Sequence, residues 1–539
     1  IAPDEQKSLN WRQHIPWLSG AVAILLLGFL FFGNAINAWL TSYFPVTALE
    51  VRPSFSSTMD VIEAERGDSF PKLLVGSGPT TFADTWIAQK PPEVNQSIFW
   101  NLDFVSGFST AITAFGSVGI VGALMWLIAP LLILFAFLRA LRTTLFHSRE
   151  KALALACVMG SIFLALVFIF YVPNQNLLLL TFTFMGATFG FLWRSAERNR
   201  DMEEVPSTRA ATMFRGFVAL IFIALIFVSS VATTRRALSE VFVLRGQVAV
   251  NQGQTDAALI EAGRASWFER TPNTSLLTVA TGFIKLQQIA NDTSIPAETA
   301  QERFTATVNT TVTAGQDAVT RAPKDYRVHM LLGNVYTFLA SLDVEGAYES
   351  ALTSYKTAAT LNPKNPEIPL AIARLEAEEN NLSAAEAAVT EALTLKQNYT
   401  DAIMFVVQLA VANNDIVNAI RAAEVAVQTA PGVSSIWFQL GLLYYSNQDM
   451  ARAALAFERA LSITADYANA KYFLGLAYYS QDRGEEAIRL FEDLQQSNPG
   501  STEVNLILEN MRTGRPAFEG AEPPVTDTPE DRPEAPIEE

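Results

Sequence analysis

The sequence predicts an all-α protein in which about five transmembrane helices are followed by an α-solenoid of helix pairs. Three observations lead to this fold class. Five apolar runs, at about 17–40, 111–138, 152–172, 175–193 and 214–234, each approach or exceed the roughly 20 helical residues that cross a bilayer. From about residue 237, alanine and charged residues recur with a helical period. Superimposed on that is a 34-residue period, long enough for two helices and their turns.

The runs define a short leading segment, 1–16, and a membrane part, 17–235. Apart from Arg215 at the start of the fifth, none of the runs contains Asp, Glu, Lys or Arg. Basic residues near the ends of the spans set the orientation. Lys7 and Arg12 precede the first run, Arg139, Arg142, Arg149 and Lys151 follow the second, and Arg194, Arg198, Arg200 and Arg209 follow the fourth. These segments share one side, the cytoplasm, which puts the N-terminus inside the cell. The loop 41–110 and everything after 235 then lie outside it, with membrane lipid as an expected partner. Arg235 and Arg236 point the other way and are outnumbered.

Half of the 539 residues are hydrophobic and the net charge is −16. The negative charge argues against a nucleic-acid partner, because phosphate binding needs an excess of Lys and Arg. A single cysteine, Cys157, allows no intrachain disulfide. The three histidines, His14, His147 and His329, leave little for imidazole chemistry, and no metal or other cofactor is expected.

The repeats occupy 237–512. Gly441, Tyr444, Ala453 and Phe457 recur one period later as Gly475, Tyr478, Ala487 and Phe491. Ala351, Ala385, Ala419, Ala453 and Ala487 keep one register, and Pro363, Pro431 and Pro499 mark unit ends. Small residues let two antiparallel helices approach, and aromatics fill the space between one pair and the next. The spacing predicts about seven helix pairs over 237–500, with 501–512 as a capping helix. This pattern resembles the tetratricopeptide repeat, whose signature positions Trp437, Leu440, Gly441, Tyr444, Ala453, Phe457 and Ala460 occupy. The resemblance implies a groove for a peptide or protein ligand. Residues 513–539 form an acidic, proline-rich segment expected to be a disordered tail.

The outer loop 41–110 contains Leu73-Leu-Val-Gly-Ser-Gly-Pro-Thr-Thr-Phe82. No Gly-Lys-Ser/Thr follows Gly76 and Gly78, so this is not a nucleotide P-loop. Arg52, then Gly76, Gly78, Pro79 and Phe82, then a run opening with Gly119 and Gly122, resemble the last outer loop of the O-antigen ligase and polymerase superfamily. That resemblance implies a cell-envelope glycosyltransferase that moves a glycan from an undecaprenyl diphosphate carrier. It makes Arg52, Gly76, Gly78 and Phe82 candidates for the lipid diphosphate, since a guanidinium fork suits a diphosphate and glycines let backbone amides approach one. The superfamily's histidine has no counterpart in 105–109. Asp103 is the one candidate general base, provided burial raises its pKa. The competing reading is a non-catalytic membrane-anchored scaffold whose repeats bind envelope proteins.

Overall fold

The structure is a computed structural model that describes residues 51–142, 148–173, 175–198, 209–521 and 536–537. It comprises two units, Ile1–Ser54 and Phe55–Glu539. The first apolar run, at 17–40, lies outside the described residues. Among the described residues all regular structure is helical.

Four short helices come first: α1 (Phe55–Arg66), α2 (Phe70–Val75), α3 (Phe82–Gln89) and α4 (Pro92–Asn95). Helix α1 buries Thr58, Val61 and Ile62, a one-face spacing of three and four residues, against Phe82 and Trp86 of α3. Ser69 caps α2 by accepting a hydrogen bond from the Lys72 amide at 3.4 Å, and Gly76 ends it.

Four long helices follow: α5 (Thr110–Arg142), α6 (Ser148–Phe170), α7 (Gln175–Arg198) and α8 (Arg209–Asn251). They coincide with the second to fifth apolar runs. Nevertheless, among the described residues no helix is long and apolar enough to cross a membrane, which corrects the expectation of five transmembrane helices. Helix α6 buries Val158, Ser161, Leu164 and Phe168, and exposes Leu155, Met159, Phe163, Leu166 and Phe170 on its other side. Both faces are therefore apolar.

The 43-residue helix α8 does not break at the composition change near 237. It runs from the fifth apolar run straight into the first helix pair, about 65 Å in all. Arg235 and Ser239, within it, donate to the carbonyls of Phe268 and Glu269.

The repeat region pairs the end of α8 with α9 (Thr255–Phe268). It continues with α10 (Pro272–Asn291), α11 (Ala297–Arg321), α12 (Tyr326–Ala340), α13 (Ala347–Leu361), α14 (Glu367–Glu378) and α15 (Leu382–Leu395). Then come α16 (Thr400–Ala412), α17 (Ile416–Thr429), α18 (Ser434–Ser446), α19 (Met450–Ile463), α20 (Ala468–Tyr479), α21 (Gly484–Ser497) and α22 (Thr502–Arg512). Consecutive helices pack as pairs from α8/α9 to α20/α21, and α22 covers the last.

Within a pair the glycine is where the aromatic of the second helix lies. A Cβ on Gly441 would stand 2.4 Å from the Phe457 ring, and one on Gly475 would stand 2.6 Å from Phe491. The turn between paired helices repeats as well. Asn380, Asn414, Gln448 and Asp482, each one period from the next, all adopt a left-handed φ between 55° and 62°. In the α12/α13 pair, Ala351 follows Tyr336 by 15 residues where Ala453 follows Tyr444 by 9, and the difference is taken up by a longer α12 and the turn at 341–346.

Part of the C-terminal segment, expected as a disordered tail, is packed. Asn510 donates to the carbonyls of Ala517 and Glu519, and Tyr479 donates to that of Arg515. These bonds and the Phe518 side chain fold 513–521 back over α20 and α22.

Candidate functional site

The glycine turn is built into the fold by backbone contact. Gly76 and Gly119 have φ of 72° and 65°, each with ψ of −169°, a region open to glycine alone. Gly119 breaks α5 there. A Cβ on Gly76 would stand 2.3 Å from the Ser117 backbone, and one on Gly119 would stand 2.4 Å from that of Leu74. The amides of Ser77 and Gly78 donate to the carbonyls of Gly116 and Ser117 at 3.2 and 2.8 Å. Of the two glycine amides offered to a diphosphate by the sequence reading, that of Gly78 is thus bonded to α5, and that of Gly76 donates to the Lys72 carbonyl at 2.8 Å.

Phe82 is buried beside Trp86, while Lys72 pairs with Glu65 at 2.9 Å. The cavity between Lys72, Ser77, Phe82 and Phe115 measures about 20 Å³, room for about one water molecule. The fold therefore brings Gly76, Gly78 and Phe82 together. Arg52 is exposed and belongs to the separate unit Ile1–Ser54.

Asp103 is placed differently. Its carboxylate accepts a hydrogen bond from the Tyr326 hydroxyl at 2.7 Å, so it ties the segment before α5 to the repeats. Burial and the Asp103 charge hold the Tyr326 phenol far above its ordinary pKa.

Around this bond, residues 90–103 lie along the turns that join successive helix pairs. The Asn95 amide donates to the carbonyls of Lys364 and Leu395 at 2.8 and 3.2 Å. In return the Lys396 ammonium donates to the Asn95 carbonyl at 2.8 Å and to Asn398 at 2.6 Å. The Trp100 ring packs on Tyr399 at 5.1 Å, with the Lys396 ammonium 5.8 Å above the indole. Lys90 is buried and donates to the Trp100 carbonyl at 2.6 Å. Burial lowers its pKa to about 8, partly opposed by Asp103.

A second contact of this kind, with Ile537, sits on α20. Asn469, 3% exposed, donates from Nδ2 to the Ile537 carbonyl at 2.8 Å and accepts the Ile537 amide on Oδ1 at 3.1 Å. Ile537 is itself 3% exposed and belongs to the buried cluster of Ala470, Tyr472 and Val504. Sequence reasoning missed Asn469, Asn95, Lys396 and Tyr326. For Asn469 a signal existed: the equivalent positions of the neighbouring repeats hold Glu367, Asp401, Ser435 and Glu503, and only this one holds an amide.

His329 is buried in the array, its Nε2 3.3 Å from the Pro323 carbonyl. Among the described residues no group of three or more His, Cys, Asp or Glu could hold a metal ion.

These features define an α-solenoid that holds residues 90–103 along its turns and Ile537 on one of its helices. Two models of the tetratricopeptide repeat match the sequence, one over residues 345–409 and 444–510, the other over 407–468. Residues 345–510 thus carry tetratricopeptide repeats; the glycine turn and α5–α8 lie outside these matches. No curated protein matches the chain.

Among solved structures, a tetratricopeptide repeat protein from Parabacteroides merdae is 17% identical and covers 51% of this chain and 99% of its own, with a TM-score of 0.32. YrrB, a tetratricopeptide protein described as having an unusual peptide-binding site, is 17% identical over 36% of this chain and 98% of its own, at a TM-score of 0.29. The pilF protein of Pseudomonas aeruginosa is 12% identical over 46% and 100%, at 0.33. Scores this low carry no argument about function.

Proposed function

We propose that this chain is a non-catalytic, membrane-anchored scaffold of the cell envelope whose tetratricopeptide array binds extended segments of partner proteins outside the cytoplasm. The observation that carries the reading is that the array already grips other parts of its own chain twice. At 90–103 and at Ile537 it does so through hydrogen bonds to main-chain groups, with an aromatic or aliphatic side chain packed beside them. Main-chain bonds supply affinity for any extended segment, and the neighbouring apolar contact selects among them.

Lipid as the anchor is supported by the exposed apolar faces of α5–α8. Leu124, Met125 and Phe135 of α5, Phe163 of α6, Phe182 of α7 and Phe217, Leu220 and Phe227 of α8 all point outward. Soluble proteins rarely leave apolar surface of that extent open to water. The placement of the array outside the cytoplasm rests on Lys7 and Arg12, which precede the apolar run at 17–40.

A glycan transferase would need Arg52, Gly76, Gly78, Phe82 and Asp103 free to meet a lipid diphosphate and an acceptor. Packing and hydrogen bonds account for Gly76, Phe82 and Asp103 without a substrate, and this favours the scaffold.

The test uses cells that produce Arg52→Ala, Asp103→Asn or a deletion of 345–510. Both point variants are expected to stay in carbonate-washed membranes and to leave the surface-glycan profile as in wild type. The deletion is expected to remain membrane-bound and to reproduce the null phenotype. Loss of a glycan class in either point variant at normal protein level would overturn the scaffold in favour of the transferase.

A further inference from the structure

We propose that the Asn469 site is a peptide-binding site for an extended segment carrying a branched aliphatic residue, and that the chain's own Pro536-Ile537 is a tethered competitor for it. This inference rests on the scaffold reading and deepens it by naming the site, the ligand chemistry and the regulation.

The geometry is that of a ligand contact. One primary amide meets both main-chain groups of one residue, donating to its carbonyl at 2.8 Å and accepting its amide at 3.1 Å. Such a two-point clamp requires a donor and an acceptor on the same side chain, which Asn has and a carboxylate lacks. Glu367, Asp401 and Glu503 stand at the equivalent positions and can only accept. Ser435, the remaining equivalent, has a single hydroxyl in place of the amide, so among these positions the primary amide is confined to α20.

The clamp orients the ligand backbone, and burial selects its side chain. Ile537 enters the same apolar cluster as Ala470, Tyr472, Val504 and Ile507. Ile537 is 3% exposed, so a branched aliphatic side chain fits there and a carboxylate would be buried away from water. Desolvating both Asn469 and Ile537 also makes the hydrogen bonds between them costly to leave unmade.

The occupant comes from the same chain. Glu519 accepts a hydrogen bond from Asn510 of α22, and Ile537 follows 18 residues later in the sequence. The docked residue thus meets the site as an intramolecular ligand. A partner segment of the same chemistry must displace it, and the array would stay closed at this point to weak or dilute ligands.

The experiment uses the full chain in detergent micelles and a fluorescein-labelled peptide with the sequence of residues 531–539, Asp-Arg-Pro-Glu-Ala-Pro-Ile-Glu-Glu. Fluorescence anisotropy is expected to show binding to the Ile537→Asp chain, whose own tail cannot dock, and at least tenfold weaker apparent affinity for wild type. Adding Asn469→Asp to the Ile537→Asp chain is expected to weaken binding at least tenfold. That substitution keeps the acceptor, removes the donor, and places on α20 the residue that α16 already carries as Asp401. Equal affinity for wild type and Ile537→Asp would overturn the competition. Absence of binding to Ile537→Asp, or binding unaffected by Asn469→Asp, would overturn the site. Failure here removes the tail and its clamp from the picture, whereas the scaffold itself stands or falls on the glycan profiles of cells.

Discussion

Phe457→Ala is expected to destabilise the repeats around it by about 3–5 kcal/mol, the range for emptying a fully buried aromatic site. Phe457 is completely buried, and it bridges pairs as well as helices. Its ring lies on the backbone of Gly441 in α18, stacks on Phe473 of α20 with centroids 5.9 Å apart, and meets Phe438 at 5.7 Å. Glycine at 441 leaves no side chain that could move into the space, so the cavity stays open. In a solenoid each pair touches only its neighbours, so the damage is local. Hydrogen exchange on the full chain should show protection falling across 434–512 and unchanged across 255–291. A loss below about 1 kcal/mol, or an equal loss along the whole array, would contradict this packing.

Gly119→Ala and Gly76→Ala are expected to undo the crossing of the outer loop with α5, each at about 3 kcal/mol or more. Two costs add. The φ and ψ of both residues lie where only glycine is comfortable, worth about 1–3 kcal/mol. The new methyl also meets backbone atoms at 2.3–2.4 Å, and main chain cannot swing aside as a side-chain tip can. Gly67→Ala is the control. Its φ is also positive, at 51°, but nothing lies within 4 Å of its Cβ, so it should lose only about 1 kcal/mol. Because residues 76 and 119 meet at one crossing, the double variant should cost less than the sum of the two. Protease cleavage between residues 67 and 81, compared across the four variants, reads the order directly. Gly67→Ala as sensitive as Gly119→Ala would contradict the crossing.

The repeats were legible because each unit solves the same packing problem with the same residues. Gly441 and Phe457 recur as Gly475 and Phe491, and the period exposes them. The glycine turn was legible as a turn but not as half of a crossing, since its partner Gly119 lies on another helix and nothing local links them.

The docking of 90–103 left no trace at all. Asn95 reaches main-chain carbonyls of Lys364 and Leu395, which every residue possesses, so no sequence signature could mark them. Asp103 looked like a free carboxylate for the same reason: its partner Tyr326 is far along the chain. The composition change near 237 marks a change of surroundings, and α8 passes through it because helix hydrogen bonds are indifferent to what lies outside. Asn469 was readable only as one departure from a repeat, which shows where the array differs without saying what it holds.

Photocrosslinking in living cells measures most directly whether the array holds partner proteins. A benzophenone side chain replaces Ser435, which is exposed and stands in α18 where Asn469 stands in α20, or Leu455, which is exposed on α19. With an array that binds extended partner segments along its first helices, irradiation yields a discrete protein adduct from position 435 and none from 455. No adduct from 435, or the same smear from both positions, would contradict it.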